Sequence, residues 1–154
     1  MNISDLLTPD GIQLKLAARS KEAAITELVH LLSNAKKLSG SNGPDHYIAE
    51  VMAREKVSST GIGNGIAIPH VLVAEVKEII MAVGRSAKGV PFESVDGKPA
   101  HLIFLIIGPQ GKNNEYLKIL SQLSRYLDDR GFFDALMKVE SPEDAIALLK
   151  ERER

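Results

Sequence analysis

Hydrophobic residues recur along the chain with two different periods, which predict strands alternating with helices. Residues 12–16 alternate between apolar and polar positions, as in a half-buried strand, and Ser20 then caps a helix. After a loop at residues 40–43, Pro44 begins a second helix, which delivers Arg54 to the next segment. Helical spacing predicts the buried faces of these two helices: Ile25, Leu28, Val29 and Leu32 in the first, and Tyr47, Ile48, Val51 and Met52 in the second.

The second half of the chain repeats this alternation. Two buried strands of one sheet are predicted at residues 78–83 and 102–107. A third helix then ends near Gly131, and Ser141 caps a last helix. The remaining signals are turn residues at Lys88-Gly89 and Asp96-Gly97, and the apolar face Leu117, Leu120, Leu123 or Ser124, and Leu127. This interleaving predicts a layered α/β fold, with residues 1–154 forming a single domain.

Composition removes several functional classes. The 154 residues are 44% hydrophobic and 25% charged, which is ordinary for a globular domain with one core. A formal net charge of −1 and 5% aromatic residues provide neither a basic stripe nor a stacking platform, which argues against nucleic-acid binding. Cysteine is absent, which excludes disulfides and thiolate catalysis.

Two further features bear on metals and membranes. Three of the four histidines, His30, His46 and His101, are scattered without zinc-ligand spacing, so we expect no metal and interpret them as bystanders or edge residues. The amino terminus lacks a basic start followed by an apolar stretch, and the longest purely apolar run, residues 102–107, is too short to span a bilayer. A cytoplasmic protein without membrane insertion is expected.

The segment with the most specific chemistry is a glycine-rich run that ends in the fourth histidine. Glycines at alternate positions let backbone N–H groups approach an anion closely. Pro69 disfavours helix at the residue before it, so the chain arrives at His70 extended and with its ring aimed. The spacing is compatible with a phosphohistidine site and equally with a structural turn beside a partly buried histidine. The run is Ser59-Thr60-Gly61-Ile62-Gly63-Asn64-Gly65-Ile66-Ala67-Ile68-Pro69-His70.

Other phosphate-binding loops do not fit this run. A P-loop requires Lys and Ser/Thr after its last glycine, at the start of a helix, whereas Gly65 is followed by an apolar stretch and a proline. A dinucleotide fingerprint requires a strand before the glycines and a helix after them, and here the predicted order is reversed. Nucleotide cofactors are therefore not expected.

The run from Arg54 to His70 resembles the active-site signature of enzyme IIA domains of the bacterial phosphoenolpyruvate-dependent phosphotransferase system, fructose/mannitol class. The similarity extends to residues 3–7, the first helix and residues 117–127, and is greatest to the stand-alone nitrogen-regulatory members. This resemblance implies a mixed β-sheet flanked by helices on both faces. It also implies that His70 accepts a phosphoryl group from an HPr-like carrier, and that Arg54 and the Thr60-to-Gly65 loop, with Gly61 and Gly63, line the anion site.

These residue types suit phosphoryl transfer. A neutral imidazole offers a lone pair near pH 7, and an arginine fork, a hydroxyl and backbone N–H groups stabilise the charge on the transferred group. Arg54 could instead be a surface charge that closes the second helix. Glu55 and Lys56 are interpreted as solvating that helix end, or Glu55 as orienting the arginine.

Two departures from the family pattern bear on function. Tyr116 stands where members commonly carry a second histidine; it donates one hydrogen bond but cannot become a cation. Val71-Leu72 stands where many relatives have Gly-Lys, which removes one basic group from the rim. Both departures favour a regulatory or weakened carrier over an efficient sugar-specific one.

Three functions follow from the resemblance and its departures. The first is a phosphotransferase component that acts as a nitrogen-type regulator, binding a target protein according to its phosphorylation state; the end of the chain near Arg154 favours it. The second is a sugar-specific IIA component that passes the phosphoryl group to a IIB domain. The third is a degenerate binding module in which His70 is never phosphorylated.

Overall fold

A computed structural model describes residues 2–38 and 42–154, so residues 40 and 41 of the predicted loop lie outside the described residues. Within these ranges, two short 3-10 helices, Ile3–Leu6 and Pro9–Gly11, precede six strands and five α-helices. The strands are β1 (Ile12–Gln13), β2 (Gly61–Gly63), β3 (Ile66–Ala67), β4 (His70–Val73), β5 (Ile80–Val90) and β6 (Ala100–Pro109). The helices are α1 (Lys21–Asn34), α2 (Pro44–Val57), α3 (Asn113–Asp128), α4 (Arg130–Lys138) and α5 (Pro142–Arg152).

The strands form one mixed sheet. Its order is β1-β5-β6-β3-β2, and β4 also pairs with β6. The antiparallel pair β5 and β6 lies at the centre, β1 runs parallel to β5, and both β3 and β4 run parallel to β6. β2 returns antiparallel along β3.

β3 and β4 behave as one strand interrupted at Pro69. Both pair with β6 at the same offset, with Ile66 opposite Leu102 and His70 opposite Ile106. The interruption retains a ladder bond, since the Ile106 N–H donates to the Pro69 carbonyl at 3.0 Å. Proline has no N–H to donate to a neighbouring strand, so it is tolerated at such an interruption of the ladder. His70 therefore enters the sheet in a fixed register, at the start of β4.

Helices cover both faces of the sheet. One face packs against α1 and α2 through a cluster that includes Leu28, Val51 and Ile103. The opposite face packs against α3, α4 and α5 through a cluster that includes Phe104, Leu123 and Leu149. The predicted α/β architecture, a mixed sheet flanked by helices on both faces, is confirmed.

Most of the predicted helices are confirmed with their capping residues. The Ser20 hydroxyl accepts from the Ala23 N–H at the start of α1, and the Ser141 hydroxyl accepts from the Asp144 N–H at the start of α5. The predicted buried residues of α1 are all buried. In α2, Ile48 and Met52 are partly buried beside the buried pair Tyr47 and Val51.

The third helix differs from its prediction in face and in extent. α3 buries Tyr116, Ile119, Leu123 and Leu127, whereas Leu117 is 60% exposed. Adjacent apolar residues at 116–117 and 119–120 make two helical faces compatible with the sequence, and packing selects the one with tyrosine. α4 is absent from the prediction because Gly131 suggested an end. The Asp129 carboxylate instead accepts from the Gly131 N–H and caps a new helix.

The central strands are longer than predicted. β5 continues through Lys88-Gly89, where the prediction placed a turn, and its pairing with β6 shifts register between Arg85 and Val90. Residues 86–89 of β5 there face the single residue 101 of β6, so the irregularity takes up the residues that the sequence pattern assigned to a turn. None of the helices in the described ranges combines the length and the apolar character needed to cross a membrane.

Candidate functional site

The ring of His70 is half-buried and held by its own backbone segment. Its Nδ1 lies 2.6 Å from the Ile68 carbonyl oxygen. A carbonyl only accepts hydrogen bonds, so in the neutral ring the proton resides on Nδ1 and the lone pair on Nε2. Ile68 precedes Pro69 in the extended interruption between β3 and β4, which sets the direction of its carbonyl. The strand break therefore selects the tautomer of the ring.

The surroundings of His70 favour its neutral form. Burial lowers the pKa of the ring below its ordinary value, and the charge of Arg54 lowers it further. The hydrogen bond to Ile68 and the charge of Glu55 act in the opposite direction and raise the pKa. Because the net shift is downward, Nε2 retains its lone pair at neutral pH. The site therefore holds a nucleophilic nitrogen.

Tyr116 lies against this ring from the first turn of α3. The two ring centroids are 5.8 Å apart, with the planes tilted by 60°. The tyrosine packs over Gly108 of β6, where an added Cβ would come within 2.9 Å of its ring, so a larger residue there would displace it. Its hydroxyl is buried, and in the described part of the chain only this oxygen and Ser94 Oγ are buried side-chain polar atoms without a hydrogen-bond partner. The tyrosine ring that packs against His70 therefore carries an unpartnered donor.

Arg54 supplies the positive charge of the site from the last turn of α2. One guanidinium nitrogen, Nη1, donates to the Ser58 carbonyl at 3.1 Å, which folds the side chain over the helix end. Burial raises the pKa of the Tyr116 hydroxyl, and the positive charge of Arg54 opposes part of that increase. The same charge lowers the pKa of His70, so Arg54 acts electrostatically on both residues. Arg54, Tyr116 and His70 are thus brought together from α2, α3 and β4.

Glu55 is buried, contrary to the expectation that it solvates a helix end. The residue is 5% exposed, and its carboxylate accepts from the Thr60 N–H at 2.9 Å and from the Thr60 hydroxyl at 2.5 Å. It also forms an ion pair of 2.9 Å with Lys21. The single hydroxyl proton of Thr60 is therefore engaged within the protein rather than directed to an anion.

The three glycines of the run are spread along a hairpin. Gly61 lies in β2 beside Thr60, whereas Gly63 and Gly65 flank the turn at the far end, with φ of 93° and 82°. At about 3.3 Å per residue, Gly65 lies roughly 16 Å along the strand from His70. Backbone donors of this run are engaged within the protein: Thr60 N–H with Glu55, Gly61 N–H with Ser59 Oγ, and Asn64 N–H with Asp96. The structure does not bring Gly63 and Gly65 to the ring.

The other histidines lie outside this cluster. His30 is exposed, as expected. His46 was expected to be solvated but is half-buried, with Nε2 2.8 Å from a Glu75 carboxylate oxygen. His101 is also half-buried, and its Nδ1 lies 2.8 Å from the Ser86 carbonyl oxygen.

Sequence reasoning missed the pairing of Lys21 with Glu55, for which it expected either solvation or orientation of Arg54. The two residues are 34 positions apart, so no local pattern joins them. A charged residue in the last turn of a helix is ordinarily exposed, which is why solvation was one of the two roles expected for this carboxylate. Only the packing of α1 against α2 brings the two charges together.

Comparisons with known proteins give a consistent result. Residues 5–152 match the family described as the phosphoenolpyruvate-dependent sugar phosphotransferase system, EIIA 2. The chain is 41% identical over 154 residues to the fructose-specific EIIABC component of Bacillus subtilis (strain 168), covering all of this chain and 24% of that protein. It is 35% identical over 149 residues to a nitrogen regulatory protein of Bradyrhizobium diazoefficiens, covering 96% of this chain and 92% of the relative.

The fold has a solved counterpart of similar size. The crystal structure of nitrogen regulatory protein IIA-Ntr from Neisseria meningitidis aligns with a TM-score of 0.88 at 34% identity. The alignment covers 96% of this chain and 98% of the other. This chain therefore spans about a quarter of the B. subtilis protein and nearly the full length of the two nitrogen-regulatory relatives.

Proposed function

Because this chain belongs to the EIIA type 2 family of the phosphoenolpyruvate-dependent phosphotransferase system, and is a phosphocarrier of that system, we propose that His70 Nε2 is its phosphoryl acceptor. The observation that carries this assignment is the 2.6 Å contact between Nδ1 and the Ile68 carbonyl oxygen. It occupies one ring nitrogen with a proton and leaves the other with a lone pair. The lowered pKa of His70 keeps that lone pair available at neutral pH.

The proposed transfer requires no metal or nucleotide. The phosphorus–nitrogen bond of a phosphohistidine on an HPr-like donor breaks as the bond to His70 Nε2 forms, and the electron pair of the broken bond returns to the donor ring. Arg54 balances charge on the phosphoryl oxygens, and the Tyr116 hydroxyl donates one hydrogen bond to them. Onward transfer is the same step in reverse, with a different acceptor.

The support for the phosphate contacts is unequal among the residues predicted from the sequence. Arg54 acts on the His70 ring through its charge, and Tyr116 packs directly against the ring. Thr60 acts through its bond to Glu55, and the glycines shape the hairpin that carries the segment. We therefore propose phosphate contacts from Arg54 and Tyr116 alone.

The role that we propose is that of a nitrogen-type regulator. The chain and the B. diazoefficiens and N. meningitidis relatives are alike nearly end to end, and both of those relatives are nitrogen regulatory proteins. Phosphorylation would add about −1.5 to −2 charge to a neutral ring on the protein surface, enough to change which partner docks there. We propose that residues 1–154 act as one domain, in the cytoplasm, with a target protein as the recipient of this signal.

A sugar-specific role is the second candidate, and one observation favours it. The B. subtilis relative, at 41% identity, is a fructose-specific EIIABC component. In that role the recipient would be a IIB domain rather than a regulatory target. Loss of phosphate from the protein on addition of a IIB domain would support this role, whereas binding of a target that depends on phosphorylation and leaves the phosphate in place would support the regulatory one.

The test of the acceptor uses the whole chain with phosphoenolpyruvate, enzyme I and an HPr-type carrier. Intact mass spectrometry should show one acid-labile phosphoryl group on the wild-type protein and none on His70→Ala. His101→Ala is the matched control, because that histidine is also half-buried and hydrogen-bonded to a carbonyl but lies outside the cluster. No gain of mass on the wild-type protein with any carrier would overturn the proposal and favour the degenerate binding module.

A further inference from the structure

A chain of hydrogen bonds runs from the amino-terminal end of α1 to the ring of His70. Lys21 Nζ donates to the Glu55 carboxylate, which also accepts from the N–H and the hydroxyl of Thr60. The Thr60 carbonyl accepts from the Ile68 N–H at 3.0 Å, and the Ile68 carbonyl accepts from His70 Nδ1. Each link fixes the group that forms the next one.

The proposed transfer makes no use of the buried carboxylate of Glu55. A buried carboxylate is costly unless it is paired and fully hydrogen-bonded, and Glu55 meets both conditions with three donors. Its bonds to Thr60 fix the backbone at the exit from α2. That backbone in turn holds Ile68, the residue whose carbonyl selects the tautomer of His70.

We propose that Glu55 is a positioning residue for phosphoryl transfer: through Thr60 and Ile68 it holds the His70 ring with Nδ1 protonated and Nε2 presented. Lys21 compensates the charge of Glu55 and thereby moderates its field at the ring. This inference rests on the proposed function of His70, but the geometry of the unphosphorylated protein can be tested without it. The groups that face the ring are Arg54 and Glu55 from α2 and Tyr116 from α3, and Lys21 of α1 acts on it through Glu55.

The charge of Glu55 gives the proposal a signature that packing alone would not give. Glu55 raises the pKa of His70, so Glu55→Gln should lower it further. Lys21→Met leaves the carboxylate uncompensated, so it should raise the pKa of His70. Opposite shifts show that the charge of Glu55 acts on the ring, and the tautomer of the ring then shows whether Glu55 also holds it through Thr60 and Ile68.

The matched control is Glu93→Gln. Glu93 also lies near Lys21, at 3.4 Å, but its side chain is 85% exposed and it is not part of the hydrogen-bonded chain. This variant removes a carboxylate from the same lysine without touching Thr60. It should leave the pKa and the tautomer of His70 unchanged, and the phosphorylation rate as well.

The experiment measures the ¹⁵N chemical shifts of the His70 ring against pH in the four proteins, and then the phosphorylation rate with enzyme I and an HPr-type carrier. We expect Glu55→Gln to lower the pKa of His70, to increase the population of the Nε2–H tautomer and to slow phosphorylation roughly tenfold, because the ring is less well oriented. Lys21→Met should shift the pKa upward, and Glu93→Gln should match the wild type.

Shifts of the same sign in Glu55→Gln and Lys21→Met, or an unchanged tautomer in Glu55→Gln, would overturn the positioning role. Should Glu55→Gln fail to fold, Lys21→Met decides alone, with the pKa and the tautomer of His70 read together: an upward pKa shift with a changed tautomer population, beside an unchanged Glu93→Gln, supports the role, and an unchanged tautomer refutes it. The tautomer and the pKa are read on unphosphorylated protein. A wild type that accepts no phosphate would therefore refute the proposed function and leave these two measurements intact.

Discussion

The two sides of the His70 ring differ in how their polar groups are satisfied. On the α2 side, the Glu55 carboxylate has three donors, and the hydroxyl of Thr60 is engaged with it. On the α3 side, the buried Tyr116 hydroxyl has no hydrogen-bond partner. An unmatched buried hydroxyl costs about 1–3 kcal/mol, whereas a satisfied network stabilises and rigidifies. A fixed support on one side thus contrasts with an unpartnered donor on the other, which is the donor that we propose for the incoming phosphoryl group.

Loss of the positive charge of Arg54 should have the largest effect on the phosphorylation rate. Arg54→Gln should slow phosphorylation by roughly 100-fold, the scale observed when one charge-stabilising donor is lost from an active site. Arg125→Gln is the control, since that arginine is exposed on α3 and stacks over the Tyr126 ring instead. Single-turnover transfer from the phosphorylated carrier measures the rate. A rate within twofold of wild type in Arg54→Gln would show that Arg54 is only a helix-end charge.

Loss of the free donor should have a smaller and more selective effect. Tyr116→Phe should shift the phosphoryl equilibrium toward the carrier by about tenfold, as expected when one hydrogen bond to a charged group is lost. It should not lower the melting temperature, because the deleted hydroxyl has no partner in the folded protein. The equilibrium is read by intact mass, and the melting temperature by calorimetry.

Tyr126→Phe is the control for that variant, since Tyr126 lies on the same helix but packs edge-on against Phe132. It should leave the equilibrium unchanged. A Tyr116→Phe protein that melts lower and transfers normally would reverse the assignment and make the hydroxyl a structural group. Tyr116→His, which introduces the histidine that the resemblance implies at this position, should retain phosphorylation.

The far end of the hairpin should affect stability alone. Gly65→Ala requires φ near +82° and places a Cβ 3.0 Å from the Phe133 ring, so we expect a loss of about 1–2 kcal/mol in the free energy of unfolding. Gly97→Ala has the same sign of φ without any neighbour within 4 Å, and separates the backbone cost from the contact. Denaturant titration measures both. If fully folded Gly65→Ala protein is phosphorylated more slowly than the wild type, the turn that contains Gly65 belongs to the anion site, and this prediction is wrong.

The sequence predicted the elements that local signals determine and missed those that packing determines. Ser20 and Ser141 mark their helices because a capping hydroxyl acts within four residues. The buried face of α3 was not predictable from apolar spacing, since residues 116 and 117 offer two alternatives. α4 was missed because Gly131 was interpreted as the end of a helix. In the structure, the Asp129 carboxylate caps a new helix that begins at Arg130.

The same division holds within the site. The proline before His70 predicts an extended, aimed histidine, which the register of β4 confirms. No sequence signal shows that Glu55 turns inward to Thr60, or that Lys21 meets it from another helix. The alternate glycines suggested a cradle for an anion, whereas the hairpin places Gly63 and Gly65 at its turn, several residues along the strand from His70. Short-range stereochemistry was predictable, whereas the pairing of charges across elements was not.

The most direct test of the account is the position of the phosphoryl group on the ring. In phosphorylated protein labelled with ¹⁵N at histidine, NMR should show coupling of phosphorus to Nε2 of His70. Nδ1 should remain protonated and hydrogen-bonded to the Ile68 carbonyl. Phosphate on Nδ1, or on any residue other than His70, would contradict the central claim that the strand break at Pro69 selects the reacting nitrogen.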